Sequence, residues 1–367
     1  MKVGHARFDL TPQGPFYLIG FRSENRLQPA SGVHDPIFCN ALLLDDGTKE
    51  LFVFSADFLE FEEAMAEDVK TLLQNRYGIE RDCVLLCATH NHSSVVGYHK
   101  SWYTGKFDPA YYDFLIKTIC GCVEACRANA QPATAKIGGK IITGYYGNRN
   151  HPGELADNEV LVLHFCGADG KPFAGFINWA VHSTVIGPEN TWLTAEWAGN
   201  VSKKLAASFG YYPAMLVGAA GDCSNRNERR GKDFAELERV SSGMAAEIAA
   251  IPVTEELQLA AIRWQTLYHT VHTAGFHLDA KGLVFDLGGL QLFVFPGELG
   301  SRFGTEMKDS APGRSLVCGY TNGYYEYFLP ASEYGLSFET QHCMVPKGEP
   351  EKMIEKYKQA SKQFAAG

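Results

Sequence analysis

The stretch CVLLCATHNHSS, residues 83–94, decides how this chain is read. Its apolar run ends in a turn that carries His90 and His92 with only Asn91 between them. A short continuous apolar run bounded by turn residues marks a buried strand. In a strand, residues two apart point to one face. If the strand of residues 83–89 stays extended through residue 92, both imidazoles face one way and Asn91 the other. Two imidazoles at a strand exit can share a metal, or one can bind it while the other handles protons. A hydrogen-bonded pair of turn histidines fits the same residues, so both readings stay open at this point.

The design recurs along the chain. GFINWAVHSTV (175–185) delivers His182 after an apolar strand, and LTAEWAGN (193–200) follows, with Glu196 at a helix start where the macrodipole favours a carboxylate. LVGAAGDCSNRN (216–227) ends a buried strand in a turn with Asp222, Ser224 and Asn225. It is neither a Walker loop nor a G-x-S-x-G elbow. Ser224 is read either as an ordinary turn serine or as a nucleophile or water positioner. LFVFPGELGSR (292–302) brings Glu298, and VCGYTNGYYEYFLPASEYG (317–335) crowds Tyr320, Tyr324, Tyr325 and Tyr327 around a turn. Ligands from separate strand ends suit a catalytic zinc site, often two His and one carboxylate with an open position. There is no H-E-x-x-H, so the helix-borne metalloprotease arrangement is absent.

Around these motifs the chain reads as α/β: a single large domain over residues 1–367, with mixed sheets flanked by helices and the active site at strand ends. ALLLDDGTKELFVFSAD predicts a hairpin turning at Asp46-Gly47. Residues 61–78 and 107–130 predict helices, the second with Asp108 at the N-cap and Pro109 at N1. Strands are expected through 134–146, 159–167, 172–184, 257–273 and 315–325, helices at 195–210 and 234–251, and a C-terminal helix over 349–367. The net charge is -9 with no basic block, which argues against a nucleic-acid partner or an anionic membrane surface. No apolar run reaches the ~18 residues of a transmembrane segment. The opening MKVGHARFDLTP lacks signal-peptide organisation. The 10 scattered cysteines fit a reduced, cytoplasmic protein without a Cys-type zinc site. Oligomeric state is not legible in the sequence.

Taken in order, the motifs resemble the neutral/alkaline ceramidase family, in its N-terminal catalytic domain. VGHARFDLTP is similar to that family's opening G-x-A-x-x-D-[IL]-T-P, ATHNHSS to its T-H-T-H-S-G, and NWAVHST to its N-x-A-V-H-P-T. VHDPIFCNALLL and FSADF fit the intervening stretches, and GAAGDCSN resembles G-D-V-S-P-N. FPGE and the tyrosine-rich segment complete a collinear series from about residue 3 to about residue 335. The resemblance implies a hydrolase of an N-acyl amide using one catalytic Zn2+. Its ligands would be His90, His182, Glu298 and Tyr324, with Tyr327 as the alternative tyrosine. It implies His92 near the substrate as proton handler, Arg149 in GNRN holding polar substrate groups, and Ser224 as the catalytic serine. No dedicated base stands beside Ser224 in the sequence, so the reading leans towards attack by water. SSVVGYHKSWY departs from the family's Gly- and Pro-rich continuation, Asn225 replaces a proline, and the chain leaves no room for the family's additional β-sandwich. A smaller, more polar amide or ester is the alternative substrate. A catalytically silent, metal-stabilised binding protein is the alternative of another class.

Overall fold

The computed structural model describes residues 1–272 and 277–365. It contains three main sheets, and each holds one parallel pair of strands. In the first, Val84–Ala88 runs parallel to Glu50–Ala56 at one edge, followed by Phe38–Asp45, Lys2–Asp9 and Gln131–Pro132. In the second, Ala214–Val217 runs parallel to Pro172–Trp179, followed by Glu159–Cys166, Thr134–Ile141 and Glu255–Leu257. In the third, Leu290–Val294 lies between Arg314–Cys318, its parallel partner, and the antiparallel hairpin His277–Gly288 and Leu259–His272. The architecture is mixed α/β, as the alternating segments predict.

Local chemistry explains the elements. The Asp46-Gly47 hairpin forms with Gly47 at φ 92° and the Asp46 carboxylate accepting from the Thr48 and Lys49 amides. Asp108 caps the helix Pro109–Asn129 by accepting from the Ala110 and Tyr111 amides. Asp233 caps Phe234–Ala249 in the same way through Glu236. Asp108→Ala leaves two first-turn N–H groups unpaired and is expected to lower stability by about 1 kcal/mol, read as a shifted urea midpoint with unchanged slope. The C-terminal helix is Glu349–Ala365, and residues 366–367 of the expected span lie outside the described residues, as does Thr273 of the long strand. The expected strand through 315–325 stops at Cys318, because Tyr320 and Asn322 take left-handed conformations at φ 51° and 65° that no strand accommodates.

The three sheets meet at the edges formed by these parallel pairs. Ser55 Oγ donates to Met215 O, and Asn178 Nδ2 donates to both Leu216 O and Val317 O. Gly319 N donates to Val217 O, and Ala88 N to Tyr320 O. Every one of these bonds sits near the C-terminal end of a strand in a parallel pair. The segments leaving those ends are therefore brought to one place.

Candidate active site and metal centre

His90 follows Val84–Ala88, His182 follows Pro172–Trp179, Ser224 follows Ala214–Val217, and Glu298 follows Leu290–Val294. Tyr320 and Tyr324 follow Arg314–Cys318. Convergence of His90 and His92 does not come from an extended strand, as the sequence pattern suggested. His90 itself is left-handed, at φ 56°, and this kink turns the chain so that the two Nε2 atoms lie 3.0 Å apart. Of the five non-glycine residues with positive φ among the described residues, four (His90, Tyr320, Asn322 and Glu326) lie at this centre or in the tyrosine segment that closes it. Such conformations cost of order 1–3 kcal/mol each and persist only where surrounding contacts fix them.

Those contacts are visible. Asn322 acts as an extra strand rung: its side chain accepts from Leu86 N (2.8 Å) and donates to Val84 O (2.9 Å), locking the tyrosine segment onto the first sheet's edge. Gly20 passes so close to His92 that a Cβ there would stand 2.4 Å from the His92 Cα, and its φ of 113° disfavours any side chain.

At the centre, His90 Nε2 lies 3.0 Å from His182 Nε2, 3.7 Å from one Glu298 oxygen, and His182 Nε2 lies 3.3 Å from the other. His90 Nδ1 is 2.9 Å from Leu59 O and His182 Nδ1 is 3.0 Å from Ala220 O. A carbonyl can only accept, so each Nδ1 carries the proton and each Nε2 turns a lone pair inward. Lone pairs and a carboxylate facing one point repel unless a cation lies among them. A tetrahedral ion with bonds of about 2.0–2.1 Å holds its ligand atoms about 3.3 Å apart, which these separations match. Backbone carbonyls fixing the imidazoles from behind are the usual outer support of metal-bound histidines. The donor set fits a zinc ion, and His90, His92 and His182 together satisfy the proximity a metal requires.

His92 differs from the other two. It is half-buried, and its enclosed Nδ1 has no close hydrogen bond, only a looser contact of the ring with the Gly20 backbone. Burial first, then the charges of Arg149 and Arg26, push its pKa down to about 3, so it is neutral near pH 7. Burial likewise drives His90 and His182 well below the usual histidine value, which favours the ligating form. The Glu298 carboxyl is pushed up to about 7 by burial, against the pull of Arg149. Tyr324 donates a short hydrogen bond to Glu298 Oε1, and Tyr327 also bonds this carboxylate. Tyr320, which the sequence offered only as one of a crowd, stacks on His90 at 4.1 Å and reaches Glu298 Oε2 at 3.3 Å.

The centre opens into a cavity of about 860 Å³ that also exposes His92, Arg149, Ser224 and Tyr327. Ser224 is nearly buried, and its Oγ accepts only from the Arg226 amide at 3.2 Å among the described residues. Arg149 lies on the wall, but its charge is engaged: Nε donates to Glu339 at 2.6 Å, and Nη2 donates to Gly221 O and to the Tyr327 hydroxyl. Glu339, on the short helix Phe338–His342, carried no sequence signal. Asp222 is structural, accepting from the amide and hydroxyl of Ser301 at the start of the helix Ser301–Ser310. Glu196 is structural too: fully buried, it accepts from the Ile186 and Trp197 amides and pins the segment after His182. The wall also holds a His99–Glu60 pair at 2.6 Å and Trp102, within the departing stretch SSVVGYHKSWY.

Comparison with known proteins gives the family and the fold. The family profile described as neutral/alkaline non-lysosomal ceramidase, N-terminal, matches residues 1–210. Neutral ceramidase B of Dictyostelium discoideum is 26% identical over 224 residues, which cover 55% of this chain and 31% of that protein. The chain thus matches about a third of the length of that relative. The crystal structure of neutral ceramidase from Pseudomonas aeruginosa superposes with a TM-score of 0.85 at 17% identity, over 100% of this chain and 74% of the other. A ceramidase complexed with C2 gives 0.84 at 16% identity, over 100% and 75%. At these identities the superpositions establish the fold.

Proposed function

This chain belongs to the neutral/alkaline non-lysosomal ceramidase family, and from that premise we propose that it is a zinc-dependent hydrolase of N-acyl amide bonds. The observation that carries the reading is the pair of inward Nε2 lone pairs on His90 and His182, meeting the Glu298 carboxylate at the floor of a cavity. His90, His182, Glu298 and Tyr324 would hold the ion. When bound, zinc supplies Lewis-acid polarisation of the amide carbonyl and a lowered pKa for water.

The chain's own residues supply the rest. His92 is neutral and lines the cavity beside His90, so its imidazole can take a proton from attacking water and pass it to the leaving amine. Tyr327 accepts a hydrogen bond from Arg149, which leaves its own O–H for Glu298 or for the carbonyl oxygen as negative charge develops. Among the described residues Ser224 has no side-chain base within hydrogen-bond range, which supports a positioning role and attack by water. An acyl adduct on Ser224 in acid-quenched turnover would instead make it the nucleophile.

The volume of about 860 Å³ is at the upper end for small-molecule sites and accepts a fatty-acyl chain. Among the described residues no helix is long and apolar enough to cross a membrane. The test is direct. Purified protein stripped by chelator should release no fatty acid from a labelled N-acyl amine and should recover activity on adding one equivalent of zinc. Turnover that survives complete metal removal would reject the zinc assignment. Fatty-acid release from a long-chain ceramide, compared with short-chain amides, decides how far the family's name describes the substrate.

A further inference from the structure

The cavity is positively charged on one wall, although the chain as a whole carries -9. Arg226, Arg229 and Lys232 line it from the loop that leaves Ser224, and Arg22 lines it from the segment next to Gly20. None of the four forms an ion pair among the described residues. The side chains of Glu189, Glu196 and Glu236 act on Arg229 only from beyond salt-bridge range. Arg149, the cation deepest on the wall, is already neutralised by Glu339. Of the three lining carboxylates, Glu60 and Glu298 are engaged by His99 and by the histidine-tyrosine centre, and Glu326 belongs to the tyrosine segment. A second observation comes from behind this wall. Arg26 is fully buried, its Nη2 donates to His92 O at 3.2 Å, and its Nε and Nη1 have no partner. Buried guanidinium groups are ordinarily paired. Here the cations beside the cavity are offset only at a distance, Arg26 by Tyr103 and Glu196, Arg226 by Glu339 and Tyr327, and Arg229 by Glu196, Glu189 and Glu236.

A neutral lipid amide gains nothing from such a wall, while an oxyanion on the substrate is attracted to it and oriented by it. We propose that the amide substrate of this site carries an anionic group, in the simplest case a carboxylate, held by Arg226 and Arg229 with Lys232 and Arg22 beside Ser224. The inference rests on the hydrolase reading for its chemistry and on the cationic wall for its selectivity. Arginine suits the role because its planar fork pairs a carboxylate through two parallel bonds.

The experiment uses the zinc-loaded protein and two matched amides, dodecanoylglycine and dodecanoylethanolamine. They share the acyl chain and amide and differ in a carboxylate against a neutral hydroxymethyl group. Each also has a sulfonamide analogue that resists hydrolysis, for calorimetric binding. The glycine compound is expected to show a kcat/KM roughly tenfold higher, the scale of two half-exposed charge pairs, and raising the salt concentration should shrink the ratio. In the double variant Arg226→Gln, Arg229→Gln, the ratio should fall towards one, mainly through KM. Hydrolysis of both amides without preference, or an equal loss on both in the variant, overturns the inference and leaves the hydrolase reading standing. No hydrolysis of either, with tighter binding of the anionic sulfonamide, upholds the anion site and removes the hydrolase reading. Equal binding of the two sulfonamides with no hydrolysis removes both.

Discussion

His182→Ala is expected to abolish zinc binding and to lower kcat by about 10³-fold or more, beyond the 10–100-fold typical of outer-shell partners of a metal. His182 brings an imidazole to the centre from the end of a second-sheet strand, and its Nε2 lies 3.0 Å from His90 Nε2 and 3.3 Å from Glu298. Its loss leaves a gap that no neighbouring side chain fills, because Tyr320 already stacks on His90 and Tyr324 is bonded to Glu298. The contrast with His92 gives the test its power. His92→Ala should keep one zinc per chain while kcat falls by roughly 10²–10⁴-fold, the range of a general acid-base group. The geometry places all three Nε2 atoms within metal-sharing distance. The support behind them differs, with close carbonyls fixing His90 and His182 and only a looser contact with the Gly20 backbone at His92. Metal content by elemental analysis separates the roles. Zinc lost in His92→Ala would make the ligand set His90, His92 and His182.

The strand ends were legible because short apolar runs and the turn residues after them are local signals. Asp108, Asp233 and the Asp46-Gly47 hairpin were legible for the same reason. The way the ends meet was not. Period-two alternation predicted that His90 and His92 share a face, yet a left-handed backbone at His90 does the work, and nothing in ATHNHSS announces that angle. Asn322 looked like a turn residue and is a rung of the first sheet across more than two hundred residues of sequence. The sequence reading found no basic block, yet the run RNERRGK supplies cations to the cavity, because which charges face it depends on how the turn after Ser224 leaves the second sheet. Glu196 was legible in part. It does stand in the first turn of the helix Glu196–Phe209 and accepts from the Trp197 amide, while its bond from Ile186 N is a tertiary contact that the sequence did not announce. Long-range pairing and backbone handedness are tertiary facts, and single-sequence patterns carry little of either.

Arg149→Met is expected to lower stability by about 3–5 kcal/mol, the cost of leaving a buried partner charge uncompensated. Glu339 is fully buried and takes the Arg149 Nε at 2.6 Å and the Asn150 amide at 2.9 Å. Burial alone would raise its pKa. The Arg149 charge, the hydrogen bonds and its own helix amide outweigh burial and hold the carboxyl below its usual range. A depressed folded-state pKa contributes stability that is present above the unfolded value and lost as pH falls through the folded one. Wild-type protein should therefore loosen in acid by an increment that Glu339→Gln removes. The reciprocal single variant, Glu339→Met, buries an unpaired guanidinium and should cost a similar amount. The double variant Arg149→Met, Glu339→Met should recover most of either loss, since two apolar side chains can replace a buried pair at little net cost. Urea midpoints for the four proteins give the coupling energy. Additive losses would mean that Arg149 acts mainly through Gly221 O and Tyr327, holding the turn before Ser224 rather than anchoring the Phe338–His342 helix at the cavity wall.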